Sequence, residues 1–242
     1  MRKVVVTGGT KRIGAAIAQA FEQASDRVFA HSRRNDADPG LSFDLDDPDM
    51  AAGRFAAFLR ESGPVDVLVL NASTFSPDEL GAIDPVTLRA ALRANLESQV
   101  LLVREFMAHR RSLPDGAAGP AVTIVLLDQK LSNPNPDFAS YTLAKYGIAG
   151  LVHMAEAWET ADAMRIYGLA PGLTLPSHDQ TEDEFGTSSR MNLLGRQNRA
   201  EEIAEACVFL ARGLLRNGSV VLSDSGQHLV PQRRDVMYEI RN

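Results

Sequence analysis

The sequence predicts an α/β protein, with a doubly wound parallel sheet covered by helices on both faces and formed by a single domain over residues 1–242. Two observations lead to this prediction. Short apolar runs alternate with longer segments of helical periodicity along the chain, and the apolar runs are continuous in Val, Leu and Ile rather than interrupted by polar residues. Strands buried on both faces have this composition, and parallel strands need helical crossovers between them.

Each predicted element follows from one of these segments. The apolar runs predict strands at Lys3–Thr7, Val28–His31, Val65–Leu70, Ala121–Leu127, Arg165–Ala170 and Ser219–Ser223. The helical patterns lie at Ile13–Ala24, Met50–Glu61, Pro85–Arg111, Ala139–Thr160 and Ala200–Arg212. A doubly wound sheet binds its ligands beyond the carboxyl ends of its strands, so the residues that follow the strands are the candidates for function.

Composition excludes several classes of partner. The net charge of −6 argues against general nucleic-acid affinity. The single cysteine, Cys207, excludes an internal disulfide and fits a reducing cytoplasm. Met1 to Lys3 lead straight into the first strand, which leaves no room for a secretory signal, and no apolar run approaches the ~18 residues of a membrane span. We therefore expect a cytoplasmic protein with no membrane or nucleic-acid partner and no metal site.

Two glycines follow the first strand. Gly8 and Gly14 bracket the turn into the first helix, with Lys11, Arg12 and Ile13 between them. Glycines at this point let the backbone N–H groups of a helix N-terminus face a pyrophosphate, as in Rossmann folds. The spacing is Thr-Gly, five residues and Gly rather than Gly-x-Gly-x-x-Gly, so the pair alone also fits an ordinary strand-to-helix turn.

The end of the second strand indicates which dinucleotide binds. Folds that prefer NAD place an acidic residue there to accept the ribose hydroxyls, whereas this chain has His31, Ser32, Arg33 and Arg34. With Lys11 and Arg12 these residues can surround a 2′-phosphate, which predicts NADPH rather than NADH. The remaining residues expected at the cofactor follow later strands: Asp44 and Leu45 at the adenine, then Asn71, Ala72 and Ser73.

A tyrosine and a lysine begin a helix after the fourth strand. Tyr141 and Lys145 are four residues apart and therefore share one helix face. A neighbouring ammonium favours the phenolate, which makes Tyr141 a usable proton donor near neutral pH. Such a pair arises often by chance, but it is far more specific in a chain that already has the cofactor loop.

These residues together resemble the short-chain dehydrogenase/reductase family over nearly the whole chain. The similar positions are Thr7-Gly8, Ile13-Gly14, Asp44-Leu45, Asn71 to Ser73, Asn95, Tyr141, Lys145, Arg165, Ala170 to Gly172 and Ser223 to Gly226. The resemblance implies that Asn95 supports a proton relay through water and that Lys145 holds the nicotinamide ribose. It also implies that Pro171, Gly172 and Leu173 line the nicotinamide, and that the protein is an NADP-dependent oxidoreductase.

One position departs from the family pattern. Thirteen residues before Tyr141, most members have a serine that donates to a substrate carbonyl, whereas this chain has Asp128. An ionised carboxylate cannot donate, but it can accept from ring N–H or amino groups and, once protonated, deliver a proton. Its charge would also favour the protonated form of Tyr141. This predicts reduction of a C=N bond.

Within the family, this substitution resembles the pteridine reductases and dihydromonapterin reductases. The same subgroup is similar in Thr7 to Gly14, in the pair His31 and Arg34, and in Asn71 to Phe75. The resemblance implies that Phe75 stacks on a pterin, that Arg12 reaches both cofactor phosphates and pterin, and that Ser73 binds the pterin amino group. Reduction of a dihydropterin to a tetrahydropterin is therefore the first hypothesis.

Other interpretations remain open at this point. The alternatives are an NADPH-dependent carbonyl or other imine reductase and a non-catalytic NADPH-binding sensor. Gln129, Lys130 and the Asn133–Phe138 stretch are expected to border the substrate, and residues 173–198 are expected to form a lid. The Pro231–Asn242 tail is a candidate to reach a neighbouring subunit's site, because the family resemblance implies a homotetramer or homodimer.

Overall fold

The computed structural model describes residues 1–33, 41–114, 119, 121–157, 164–177 and 180–241. It contains the six expected strands: β1 (Lys3–Val6), β2 (Arg27–Ala30), β3 (Val67–Leu70), β4 (Val122–Leu126), β5 (Arg165–Pro171) and β6 (Val220–Ser223). The described helices are α1 (Arg12–Gln23), α2 (Pro48–Ser62), α3 (Pro85–Leu92), α4 (Ser98–Ser112), α5 (Ala139–Glu156), α6 (Glu182–Ser188), α7 (Ala200–Leu210) and α8 (Val236–Glu239).

The strands form one parallel sheet in the order β2-β1-β3-β4-β5-β6. The chain runs from β1 outward to β2 and then returns to β3 on the other side of β1. The strand order therefore reverses between β1 and β3, and a doubly wound sheet opens a crevice for ligands at such a reversal. This confirms the predicted α/β architecture and places the glycine turn after β1 at the crevice.

Helices cover both faces of the sheet, which explains why its strands are apolar without alternation. Val5 of β1 packs with α2, α4 and α5 on one face, whereas its neighbours Val4 and Val6 pack with α1 and α7 on the other. Cys207 lies in the second of these layers, fully buried, and burial raises the pKa of its thiol. The cysteine is part of the core.

One predicted helix is interrupted. The sequence predicts a single helix at Pro85–Arg111, but residues Arg93–Glu97 form a π-turn between α3 and α4. Such turns insert one residue into a helix and frequently occur at functional sites. The hydrophobic periodicity does not reveal the turn because the residues on both sides of it remain helical. Among the described residues, no helix is both long and apolar enough to span a membrane.

Candidate active site

The turn after β1 requires glycine at two positions. Gly8 has φ +62°, in the left-handed region that favours glycine. A Cβ at Gly14 would come within 2.0 Å of the Gly8 carbonyl oxygen and 2.6 Å of Asn71 Nδ2. The first turn of α1 can therefore lie against β3 only without a side chain at Gly14.

Thr7 ties the ends of β1 and β3 together at the crevice. Its hydroxyl accepts hydrogen bonds from the backbone N–H groups of Asn71 (2.9 Å) and Ala72 (3.0 Å). Asn71 Nδ2 in turn donates to the Thr7 carbonyl at 2.9 Å. The predicted Asn71 to Ser73 segment is thus held beside the glycine turn.

A cavity of about 380 Å³, called here the glycine-loop pocket, opens above this turn. Its walls come from the segments that follow β1, β2 and β3, and a further wall is formed by residues 43–45. Its lining includes Gly8, Lys11, Arg12, Ile13, Gly14, His31, Ser32, Arg33, Asp44, Leu45, Asn71, Ala72 and Ser73. Every described residue predicted for the adenosine and phosphate end of the cofactor lies here, whereas Arg34 falls outside the described residues.

The charged side chains of this pocket are Lys11, Arg12, Arg33 and Asp44. Arg33 is largely exposed, and its Nη1 lies 3.7 Å from Asp44 Oδ2. At that separation, in water, the pair is a weak interaction that leaves the guanidinium able to bind an anion. The described residues of the pocket thus include three cations and one carboxylate, in a protein that is acidic as a whole.

His31 has a different role from the one expected. Its ring is buried and stacked on Phe43, its Nδ1 accepts from the Gly8 N–H at 3.1 Å, and its Nε2 lies 3.0 Å from the Phe43 carbonyl. Burial lowers the pKa of His31 more than the Phe43 carbonyl and Asp44 raise it. The imidazole is therefore neutral and shapes the glycine turn, rather than adding a positive charge at a 2′-phosphate.

A second cavity of about 300 Å³, called here the tyrosine pocket, adjoins the first. The two pockets share Arg12, Ile13, Asn71 and Ser73. Three of the four predicted chemical residues, Asp128, Tyr141 and Lys145, line the tyrosine pocket, and so do the predicted Ser73, Phe75, Pro171, Gly172 and Leu173. Its lining also includes Gln129, Phe138, Thr174, Leu175, Ser177, Gln180, Gln227, Asp235, Val236 and Met237.

Asp128 and Tyr141 form a hydrogen-bonded pair in this pocket. The Tyr141 hydroxyl donates to Asp128 Oδ2 at 2.9 Å, and the Lys130 N–H donates to Asp128 Oδ1 at 2.8 Å. Asp128 follows β4 and caps the short 3₁₀ turn Gln129–Leu131, whereas Tyr141 lies in the first turn of α5. The end of the strand and the start of the helix thus set the geometry of the pair.

Both members of the pair hold protons more strongly than isolated side chains do. Burial raises the pKa of Asp128 more than its hydrogen bonds and the lysine charges lower it. Burial and then the negative charge of Asp128 raise the pKa of Tyr141 well above its usual value. The expectation that Lys145 would favour the phenolate is therefore not met in this structure, because desolvation and Asp128 outweigh the ammonium.

Lys145 is buried one helical turn after Tyr141. Its Nζ donates to the Leu126 carbonyl and lies 5.6 Å from the centre of the Tyr141 ring. Burial lowers the pKa of Lys145 to about 8, against the opposing effect of Asp128. The ammonium therefore begins to lose its proton just above neutral pH.

Asn95 lies in neither pocket. Its Oδ1 accepts from the Thr74 N–H at 2.8 Å and its Nδ2 donates to the Thr74 carbonyl at 2.8 Å. The side-chain amide of this π-turn residue thus fixes the Ser73–Phe75 loop instead of facing a reacting group. A proton relay that involves Asn95 remains a prediction.

Aromatic rings form one wall of the tyrosine pocket. Phe75 stacks on Phe138 with a centroid distance of 4.0 Å and meets Tyr141 edge-on at 4.7 Å. Phe138 is fully buried and has φ +52°, which places it in the left-handed region directly before α5. One face of Phe75 is covered by Phe138, and the loop held by Asn95 brings Phe75 to the pocket.

The C-terminal tail forms another wall of the tyrosine pocket, which the sequence did not predict. Asp235, Val236 and Met237 line the tyrosine pocket of the same chain. Asp235 Oδ2 accepts from the buried Lys130 ammonium at 2.9 Å, and Arg234 forms a two-pronged ion pair with buried Asp137. These contacts join residues about a hundred positions apart, so no local pattern could have revealed them.

Only part of the Asn133–Phe138 stretch, which was expected to border the substrate, lines the pocket. Phe138 lines the pocket, whereas Asn133 donates to the Val230 carbonyl at 2.7 Å and Asp137 is occupied by Arg234. Asp137 therefore anchors the tail and Asn133 binds the residue that precedes it, whereas Phe138 borders the pocket. In the described part of the chain, no cluster of three His, Cys, Asp or Glu residues could hold a metal ion.

A sheet with a glycine turn at its switch point, adjoining a pocket with a buried Tyr/Lys pair, defines a nucleotide-dependent oxidoreductase. A family model described as "Enoyl-(Acyl carrier protein) reductase" matches residues 8–228. The chain belongs to the short-chain dehydrogenase/reductase family, and it is an oxidoreductase of that family.

Three relatives illustrate the range of similarity. The chain is 28% identical over 231 residues to cis-4-hydroxycyclohexanecarboxylate dehydrogenase of Sinomonas cyclohexanicum, covering 87% of this chain and 89% of that one. It is 25% identical over 276 positions to pteridine reductase 1 of Leishmania tarentolae, and the match covers 93% of this chain and 96% of that one. The chain also resembles a solved structure of FolM alternative dihydrofolate reductase 1 from Brucella canis, complexed with NADP. The TM-score is 0.81 at 27% sequence identity, and the match covers 97% of this chain and 96% of that one.

Proposed function

We propose that this protein is an NADPH-dependent reductase that transfers hydride to a C=N bond of a pterin, converting a dihydropterin to a tetrahydropterin. The observation that carries the proposal is the hydrogen bond between Asp128 and Tyr141, in the pocket that adjoins the glycine turn. A carboxylate at this point suits a substrate with N–H donors and a nitrogen that must be protonated.

The residues of the glycine-loop pocket fit NADPH. The glycine turn leads into the N-terminus of α1, where backbone N–H groups can bind a pyrophosphate, and Lys11, Arg12 and Arg33 supply cations for a 2′-phosphate. Lys145 would hold the nicotinamide ribose, with Pro171, Gly172 and Leu173 beside the ring. When bound, NADPH supplies the hydride that adds to carbon.

The Asp128 and Tyr141 pair would supply the proton. Reduction of a C=N bond requires one proton at nitrogen, and the raised pKa of Tyr141 keeps its hydroxyl protonated near neutral pH. Burial also raises the pKa of Asp128, which favours its protonated form. Tyr141 can donate its hydroxyl proton while Asp128, once protonated, replaces it through the hydrogen bond between them. The same carboxylate, when ionised, accepts from an amino or ring N–H group of the substrate.

The other walls of the tyrosine pocket suit a flat heterocycle. The aromatic ring of Phe75 lines this pocket, and Arg12 and Ser73 lie where the two pockets meet. Arg12 Nη2 also donates to the Pro176 carbonyl at 2.8 Å, which connects the glycine turn to the 173–198 segment. We propose that this segment acts as a lid that closes over the substrate, with Arg12 as one of its contacts.

The relatives support the pterin proposal without deciding it. One is named as a pteridine reductase and one as an alternative dihydrofolate reductase, but another is a dehydrogenase of a hydroxycyclohexanecarboxylate. NADPH-dependent reduction of a carbonyl or of another imine is therefore the alternative. A non-catalytic NADPH-binding sensor is a weaker alternative, because both Tyr141 and Lys145 are present.

Oxidation of NADPH by dihydropterins, measured against a panel of ketones, separates these possibilities. We expect turnover with dihydropterins and little with ketones. In Asp128→Ser, pterin turnover should fall by about 100-fold, the order expected for losing a positioned acid, and ketone reduction should improve. Pterin turnover that is unaffected by this change would contradict the role proposed for the carboxylate.

The assembly and location of the protein are further proposals. We propose a homotetramer or homodimer, because α5 exposes Leu143, Tyr146 and Met154, and α3 exposes Val86. We also propose a cytoplasmic location, which the single buried cysteine favours.

A further inference from the structure

Two buried amide side chains hold the backbone of Leu173, at the start of the 173–198 segment. The Leu173 N–H donates to Gln227 Oε1 at 2.8 Å, and Asn198 Nδ2 donates to the Leu173 carbonyl at 3.4 Å. Gln227 is 4% exposed and Asn198 is 2% exposed. Hydrogen bonds between buried groups are costly to break, because water cannot easily replace the lost partner. The backbone of Leu173 is therefore restrained where it lines the tyrosine pocket.

The preceding residue, Gly172, allows both amides to approach this closely. A Cβ at Gly172 would come within 2.5 Å of Asn198 Nδ2 and 2.7 Å of Gln227 Oε1. It would also come within 3.0 Å of the Asp224 Cα, which belongs to the backbone and cannot rotate away. A side chain at Gly172 would therefore push the two amides off the backbone of Leu173.

Ser225 holds one of these amides from a strained backbone position. Its φ is +52°, in the left-handed region, where glycine is favoured and a side chain costs free energy. The Ser225 hydroxyl donates to Asn198 Oδ1 at 2.6 Å, and both side chains are buried. Strained residues are concentrated at functional sites, where the surrounding structure keeps them in place. At this position a glycine would relieve the strain but would leave Asn198 without its donor.

These contacts are separate from those that hold the proposed proton donor. The pair Asp128 and Tyr141 is set by the end of β4 and the start of α5. The contacts at Leu173 come from residue 198 and from residues 225 and 227, which follow β6. A restrained wall matters for hydride transfer, because the reacting atoms must be held at a productive distance and angle. The two sets of contacts can therefore be changed independently.

We infer that Gln227 is a positioning residue, which holds the Leu173 N–H and thereby fixes the backbone beside the nicotinamide of the bound cofactor. Asn198 and Ser225 complete this clamp, Asn198 at the Leu173 carbonyl and Ser225 by orienting Asn198. The inference rests on the part of the proposed function that places Pro171, Gly172 and Leu173 beside the nicotinamide. It does not depend on which substrate accepts the hydride.

Gln227→Met tests the inference, because it keeps the length of the side chain and removes the acceptor of the Leu173 N–H. The Kd for NADPH, measured by calorimetry, should rise about fivefold, the effect of one net hydrogen bond, because the loosened backbone must be ordered on binding. The Kd for 2′-phospho-ADP-ribose, which lacks the nicotinamide, should change by less than about twofold. An equal loss with both ligands, or no loss with either, would overturn the inference.

Two further variants separate positioning from general damage to the fold. Gln232→Met removes another glutamine amide, which donates to the Met191 carbonyl outside both pockets, and should leave both Kd values unchanged. Ser225→Ala keeps the strained backbone and the Leu173 N–H contact but releases Asn198, so the Kd for NADPH alone should rise about two- to threefold. A Ser225→Ala variant that weakens both ligands equally, or neither, would contradict the clamp even if Gln227→Met did not fold.

The outcome can be separated from that of the proposed function. If the protein reduces no dihydropterin, the proposed function fails, but the comparison of NADPH with 2′-phospho-ADP-ribose still decides the inference, because neither measurement uses a substrate. If dihydropterins are reduced but Gln227→Met weakens both ligands equally, the proposed function stands and the role of Gln227 is refuted.

Discussion

The two pockets are built from different kinds of contact. The glycine-loop pocket is made mainly by short segments that follow β1, β2 and β3, where Thr7 and His31 fix the backbone through local neighbours in the sheet. The tyrosine pocket combines the ends of β4 and β5 with α5, the 173–198 segment and the C-terminal tail. The first pocket thus depends mainly on backbone geometry at the edge of the sheet, whereas the second depends on side-chain contacts between segments far apart in the sequence.

This difference suggests separate functions for the two pockets. The glycine-loop pocket would bind a nucleotide, and the tyrosine pocket would select a substrate and transfer a proton. Changes in the tyrosine pocket should therefore alter the chemistry and the choice of substrate, whereas changes in the glycine-loop pocket should alter the choice between NADPH and NADH.

The largest expected effect comes from Tyr141→Phe. Removing the hydroxyl takes away the proton donor and the partner of Asp128 Oδ2, so kcat should fall by about 10²–10⁴-fold. The Kd for NADPH, measured by fluorescence titration, should stay the same because the change leaves the glycine-loop pocket intact. Unchanged turnover would contradict a catalytic role for Tyr141.

Asp235→Ala should reduce both stability and substrate binding. It leaves the Lys130 ammonium, whose side chain is 3% exposed, without its carboxylate. Removing one member of such a pair should lower the free energy of unfolding by about 3 kcal/mol, measured by urea denaturation. The KM for substrate should rise as the tail loosens.

A double variant provides the control for that prediction. Lys130→Met combined with Asp235→Leu removes both charges together, so most of the lost stability should return. If the double variant is as unstable as Asp235→Ala, packing of the tail rather than the ion pair explains the loss.

Much of the fold and the nucleotide pocket could be predicted from the sequence, because their signals are local. Continuous apolar runs indicate the strands, and the spacing of Gly8 and Gly14 indicates the turn. The role of His31 could not be predicted, because it depends on burial and on the position of Phe43. The places of Asp235 and Met237 could not be predicted either, because they depend on contacts with residues about a hundred positions earlier in the chain.

Arg33→Ala should have a smaller effect that is confined to the nucleotide. Because Arg33 supplies one of the cations of the glycine-loop pocket, its loss should raise the KM for NADPH about tenfold and leave that for NADH nearly unchanged. Arg104→Ala removes another exposed arginine, paired with Glu105 on α4, and serves as the control. Equal effects on the two nucleotides would remove the argument for a 2′-phosphate site.

The smallest expected effect is on the pH profile. The pKa of Lys145 is lowered to about 8, so its ammonium is present below this pH and is lost as the pH rises through it. The value of kcat/KM should therefore decline above about pH 8, by less than tenfold up to pH 8.5. The profile of kcat should break at a higher pH, because bound phosphates would favour the ammonium. A kcat/KM profile that stays flat to pH 9.5 would contradict this role for Lys145.

The most direct measurement is a crystal structure of the protein with NADP⁺ and a pterin bound together. The proposed function predicts that an Asp128 carboxylate oxygen lies about 3 Å from a ring or amino nitrogen of the pterin, on the side that faces Tyr141. A pterin bound elsewhere, or an Asp128 that contacts only Tyr141 and the Lys130 N–H, would contradict the proposal that this carboxylate recognises and protonates the substrate.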